Sequence, residues 1–261
     1  MENKILSNTN GPIATLTFNN PERHNAVSLD MWRQATAALE DFAGDPAVRV
    51  VVVTGAGRKA FVSSADISKF ESERGTADGV VTYNAAVERF SQTLLDYSKP
   101  AIAMIRGYCI GGGVGIAASC DLRICNEGAR FGVPAAKLGL GYGFDSIRRL
   151  MNLVGPQFVT EMLITARQFD AADALRMGLV NRVVPDSEIE EYVGQLAATI
   201  AGNAPLTIRA VKAIVRELLR DEAARDHARC DLLVSQCFES ADYQEGRRAF
   251  LEKRKPAFSG A

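Results

Sequence analysis

The sequence predicts an α/β fold with an all-helical C-terminal tail, and three observations carry that expectation. Short apolar runs rich in branched residues alternate with stretches of helical spacing as far as Val184. One run, Val48 to Thr54, is almost continuous valine, as expected of a parallel strand covered on both faces. From Asp186 the strand signal stops and apolar residues recur only at helical spacing. Repeated strand–helix alternation implies right-handed crossover units. We therefore expect a core over residues 1–185 and a helical region over 186–261 that is a second structural unit, not an independent domain.

The first strand is expected over Gly11 to Phe18, followed by a loop of turn residues, Asn19 to Asn25. Ser28 is placed to cap a helix through Phe42, with Met31, Ala35, Ala38 and Leu39 on one face. The valine strand ends at Gly55-Ala-Gly57. Phe61 to Ile67 reads as a loop. Lys69 to Gly79 is charged, contains glycine and has weak apolar periodicity, which predicts a mobile lid or exposed loop. Its Glu71 and Glu73 are expected to be solvated charges. Helical spacing resumes over Tyr83 to Tyr97 through Val87, Phe90 and Leu94.

Pro100 then opens a buried strand, Ala101 to Ile105, and another strand is expected over Leu122 to Cys125. Phe131 to Pro134 reads as an extended turn and Leu138 to Phe144 as a glycine-rich loop. Helices over Ser146 to Leu153 and Gln157 to Thr165 are separated by Gly155-Pro156. A short helix, Ala171 to Met177, stops at Gly178, and the last strand runs from Val180 to Val184. The tail divides near Asn203-Ala-Pro205, Asp221 and Ser240.

Composition bounds the function. The 261 residues suffice for one large α/β domain. A net charge of -1 gives no global attraction for nucleic acid. A polar start and no long uncharged apolar run predict no signal peptide and no membrane span, hence a cytoplasmic protein. Five cysteines without a CxxC pair predict packed thiols, not a disulfide framework or a zinc site. The two histidines, His24 and His227, lie near no nucleophile motif, which argues against Ser-His-Asp chemistry.

The stretch with most chemical content is Gly107-Tyr-Cys-Ile-Gly-Gly-Gly-Val-Gly-Ile-Ala-Ala-Ser-Cys-Asp121. Strand, glycine loop and helix start aim unpaired backbone N–H groups at one point, where the helix dipole adds positive charge. Three readings fit: a tight turn, a dinucleotide loop through Gly113-Val-Gly115-Ile-Ala-Ala118, or an oxyanion hole. The dinucleotide match is weak, lacking a strand directly before it and an acid about 20 positions on.

This stretch resembles the signature of the enoyl-CoA hydratase/isomerase (crotonase) superfamily. Phe61-Val-Ser-Ser-Ala-Asp-Ile67 resembles that family's earlier loop. Arg130-Phe-Gly-Val-Pro134, Lys137-Leu-Gly-Leu140 and Ala172-Asp-Ala-Leu-Arg-Met-Gly-Leu-Val180 resemble further landmarks, at the expected spacings, from about Ile13 to Phe258.

The resemblance implies a spiral of ββα units with C-terminal helices that assemble a trimer or a dimer of trimers. It implies an acyl-CoA thioester as substrate, coenzyme A being part of the substrate, with no permanently bound cofactor and no metal. The N–H groups of Ala65 and Gly112 would form the hole for the thioester oxygen. Ala26, Ser64, Asp66, Ile67, Gly111 and Tyr142 would line the substrate. Phe250 and Lys253 would reach the adenine and phosphate end of coenzyme A across a subunit interface; a solvated terminus is the alternative for Glu252-Lys-Arg-Lys255.

Two departures stand out. Ser63-Ser64 replaces the small residue and glycine usual in the family. The two glutamates of the family's hydratases fall at Gly115 and Ala135 here. Hydration needs an acid/base pair around a water, so their absence argues against it. Asp145 is the candidate base near the family's isomerase acid position, its alternative being a helix N-cap. The expected activity is that of an acyl-CoA enzyme stabilising a thioester enolate, with a hydratase-, isomerase- or decarboxylase-like reaction. A CoA-ester binding or scaffold protein with its chemistry lost is the other class.

Overall fold

The computed structural model describes residues 3–66 and 69–261. Two sheets form the core. The larger has the order β1 (Ile5–Asn10), β2 (Ile13–Phe18), β3 (Val50–Gly55), β5 (Ala101–Ile105), β7 (Leu122–Asn126), β10 (Arg182–Val184). The smaller runs β4 (Ala60–Ser63), β6 (Tyr108–Ile110), β8 (Arg130–Gly132), β9 (Phe169–Asp170). Pairing is parallel except for β1 with β2 and β8 with β9. The pairs β3/β4, β5/β6 and β7/β8 each give one strand to each sheet before the chain turns into a helix. This is the spiral of ββα units.

The valine run shows why both faces matter. Val51 and Val53 face the main core, which includes Trp32, Phe90 and Val114. Val50 and Val52 face the other way, with Ile102 and Ile124, onto Ile189, Val193, Ala197 and Ala201 of α7 (Ile189–Ala201). The tail thus begins by sealing the second face of the sheet. Helices α8 (Pro205–Leu218), α9 (His227–Glu239) and α10 (Ala241–Leu251) follow. Arg49, just before β3, ties the core to this tail by donating to the carbonyls of Ala201 (3.2 Å) and Phe258 (2.6 Å).

Several local expectations hold. Helix α1 (Leu29–Gly44) starts at Ser28, whose hydroxyl accepts from the Met31 N–H. Helix α5 (Phe144–Thr165) is broken at Gly155, which takes φ 74° before Pro156. The short helix α6 (Ala171–Arg176) also forms. Others are corrected. Strand β1 precedes the expected first strand; its four exposed residues, Ser7 to Asn10, give it no apolar alternation to recognise. Strand β6 is three residues long, too short to stand out from the glycine loop.

Lys69 to Gly79 is helical, not a loop. It holds α2 (Phe70–Arg74) and the start of α3 (Ala77–Asp96), whose cap Thr76 accepts from the Gly79 N–H. Glu73 is not a free solvated charge: its carboxylate accepts from the Leu29 N–H at 3.0 Å, an anion on the N-terminus of α1. Among the described residues all five cysteines are free, no His/Cys/Asp/Glu group could hold a metal ion, and no helix is long and apolar enough to cross a membrane.

Candidate active site

The ends of β4 and β6 meet in register, with Ser63 opposite Ile110. Beyond that pair the two chains separate, and each satisfies its backbone elsewhere. The Ser64 N–H donates to the Ile110 carbonyl (2.8 Å), and the Ser64 carbonyl accepts from Val27 (3.2 Å). The Asp66 N–H donates to the Val27 carbonyl (3.1 Å), and the Gly111 N–H to the Gly132 carbonyl (2.8 Å). This leaves out Ala65 and Gly112. Among the described residues neither N–H donates to a backbone carbonyl or a side chain. Gly112 opens α4 (Gly112–Ser119), so its N–H also carries the positive end of that helix.

Two of the glycines are required by packing. Gly111 has φ 57°, in the left-handed region. At Gly113 a Cβ would lie 2.1 Å from the Val62 carbonyl oxygen, so only glycine lets α4 approach β4.

Buried hydrogen bonds hold the Ala65 loop in place. The Tyr83 hydroxyl donates to the Val27 carbonyl (2.8 Å) and accepts from Trp32 Nε1 (2.9 Å). Asn25 is fully buried; its Nδ2 donates to the carbonyls of Ala56 (3.0 Å) and Ala60 (2.8 Å), and its Oδ1 accepts from the Asn20 N–H (2.9 Å). Sequence reasoning missed both clamps. Tyr83 carried only a helical-spacing signal and Asn25 only a turn signal.

Two unpaired amides at the junction of a strand end and a helix start suit an oxygen that gains negative charge. The family model for enoyl-CoA hydratase/isomerase matches residues 8–261. The chain belongs to the enoyl-CoA hydratase/isomerase family. It is 34% identical to a short-chain-enoyl-CoA hydratase of Clostridium acetobutylicum, over 97% of this chain and 96% of that protein. A carnitinyl-CoA dehydratase of Salmonella typhimurium is 36% identical over the whole of both chains. The crystal structure of an enoyl-CoA hydratase/carnithine racemase from Magnetospirillum magneticum superposes with a TM-score of 0.95 at 35% identity, covering 100% of this chain and 97% of that one.

Positions 115 and 135, where the resemblance sets the two glutamates, hold glycine and alanine. Gly115 is half-buried on α4, and a Cβ there would meet nothing within 4 Å, so space opens over it. Ala135 is buried in a 3-10 turn over Pro134–Leu138.

The other expected site residues divide. Ser64, Ala65, Asp66, Gly111 and Gly112 come together at the β4 and β6 ends, and Ala26 is buried beside Val27. Asp66 accepts from Arg23 at 3.0 Å, which orients its loop. Tyr142 packs against the main core, and burial pushes its hydroxyl up to about 12, so it stays a donor at neutral pH. Asp145 is not the cap of α5: Gly143 holds that place, and Asp145 sits exposed in the first turn, paired with Arg148 at 2.9 Å. Phe250 is 84% exposed and lines a groove formed by α8, α9 and α10, whose lining includes neither Ala65 nor Gly112. Lys253 is exposed just after α10. Ile67 lies outside the described residues.

Proposed function

We propose that this acyl-CoA enzyme stabilises a thioester enolate between the Ala65 and Gly112 N–H groups, and that its reaction is not ordinary hydration. The observation that carries the proposal is the combination of two unbonded amides with Gly115 and Ala135 in place of a carboxylate pair. One oxyanion donor contributes roughly 2.7–4 kcal/mol to a barrier. Hydration also needs groups that place and split a water, and glycine and alanine move no proton.

Decarboxylation suits such a site. The bond to the leaving carboxylate breaks, carbon dioxide departs, and the electron pair passes to the thioester oxygen held by the amides. Isomerisation needs a proton carrier, and Asp145 is the residue we assign to it. Coenzyme A enters as part of the substrate. Exposed Val211, Val215 and Phe238 on α8 and α9 support a homo-oligomer, a trimer or a dimer of trimers. The five free cysteines support a cytoplasmic location.

The test is a panel of 2-enoyl-, 3-enoyl- and malonyl-type CoA thioesters. Turnover of a 3-enoyl or malonyl-type thioester with no hydration of the 2-enoyl one is expected. Rapid hydration of the 2-enoyl thioester overturns the proposal. If Asp145→Asn leaves isomerisation intact, Asp145 is not its proton carrier. The absent carboxylates also favour a second reading, a CoA-ester binding protein. Calorimetric binding of acyl-CoA without turnover of any panel member would select it.

A further inference from the structure

Among the described residues five non-glycine positions have positive φ: His24, Asn25, Ser64, Ala166 and Lys253. Four of them end a turn or a helix. His24 and Asn25 close the 3-10 turn at Pro21–Arg23, Ala166 caps α5, and Lys253 follows α10. Ser64 is different. It leaves a strand with φ 66°, and serine has no preference for that region. Backbone strain of this kind persists where the surroundings over-determine it, and it concentrates at functional sites.

The surroundings of Ser64 are the site itself. Its N–H and carbonyl are both used, on Ile110 and Val27. Its hydroxyl is not: it forms no hydrogen bond among the described residues. Nor is it sealed in, since the residue is half-buried and the hydroxyl is not one of the buried groups lacking a partner. The hydroxyl oxygen lies 3.2 Å from where a Cβ on Gly111 would stand. Ser64 and Gly111 are each one residue ahead of the unbonded amides, Ala65 and Gly112. Consecutive Cα atoms are about 3.8 Å apart, so the hydroxyl and both amides share one locus.

We infer that the Ser64 hydroxyl is a third hydrogen-bond donor to the thioester oxygen, strengthening as that oxygen gains charge. This rests on the enolate proposal above. It gives the strained serine a chemical role that glycine, free of the strain, cannot fill.

Two variants of the full chain test it, Ser64→Ala and Ser64→Gly, assayed on the thioester the wild type turns over best. Alanine keeps the backbone constraint and removes the hydroxyl. Glycine removes both, and its melting temperature should rise above that of the wild type. Both variants should lose kcat by about 10- to 100-fold, the range for a hydrogen bond to a charged group. KM should change little, because the bond is made mainly in the transition state. If Ser64→Gly keeps wild-type kcat, the inference is overturned and the serine is a space-filling residue. If kcat holds and only KM rises, the hydroxyl binds the ground state and the inference also fails. If the wild type turns over no thioester, the enolate proposal falls and this inference with it, whereas an active wild type matched by both variants sinks this inference alone.

Discussion

Glu88 grips Arg149 with two parallel hydrogen bonds, at 2.9 Å and 3.0 Å, and so ties α3 to α5. The Arg149 side chain is only 10% exposed, while that of Glu88 is 44% exposed. The asymmetry sets the cost of breaking the pair. Glu88→Ala strands a mostly buried guanidinium and should cost about 1–2 kcal/mol, between the range for exposed pairs and that for buried ones. A urea titration at low and moderate salt would measure it, and a loss that vanishes with salt would place the pair effectively at the surface.

The adjacent glycines of the central loop should respond differently. Gly113→Ala puts a methyl group against the Val62 carbonyl and should destabilise by about 3 kcal/mol or more, or prevent folding. Gly112→Ala meets only the Trp32 ring, at an ordinary 3.5 Å, and should fold with a melting temperature near that of the wild type. Equal melting temperatures for the two variants would contradict the packing described here.

Tyr83→Phe removes the hydroxyl that bridges Trp32 Nε1 and the Val27 carbonyl. It leaves the buried Trp32 Nε1 without an acceptor, while the Val27 carbonyl keeps only the Asp66 N–H, and should cost about 1–3 kcal/mol. Because Val27 holds both Ser64 and Asp66, thioester turnover should fall as well. A variant that loses stability and keeps full turnover would show that Tyr83 supports only the core.

Stability should decline at alkaline pH. Burial pushes the thiols of Cys120 and Cys125 up from 9.0 to about 12. Below pH 9 both are protonated in the folded and unfolded chains, and their contribution is flat. Above pH 9 the unfolded chain releases these protons and the folded chain keeps them, so unfolding gains ground up to about pH 12. The slope approaches roughly 1.4 kcal/mol per pH unit per thiol at most. Urea midpoints between pH 8 and pH 10.5 would follow it, and Cys120→Ala should flatten part of the decline.

Much of the fold was legible in the sequence because its signals are local. The valine run, the Ser28 cap, the Gly155-Pro156 break and the helical tail each follow from residues within a few positions of one another. Strand β1 was not legible, since its polar sequence becomes a strand only by pairing with β2. Glu73 looked like a surface charge because its partner, Leu29, lies far away in the chain. Glycine spacing pointed to the central loop, and the family resemblance alone named Ala65 and Gly112.

By itself the sequence determined the alternation of elements, the glycine loop and the absence of carboxylates at positions 115 and 135, all matters of residue type and spacing. Only the tertiary structure decided which amides remain unpaired. The Ala65 and Gly112 N–H groups are open because their neighbours are committed to Val27, Ile110 and Gly132, partners brought together by three separate segments. The same packing holds Ser64 at φ 66°, a conformation that local preference disfavours and that contacts from distant segments impose.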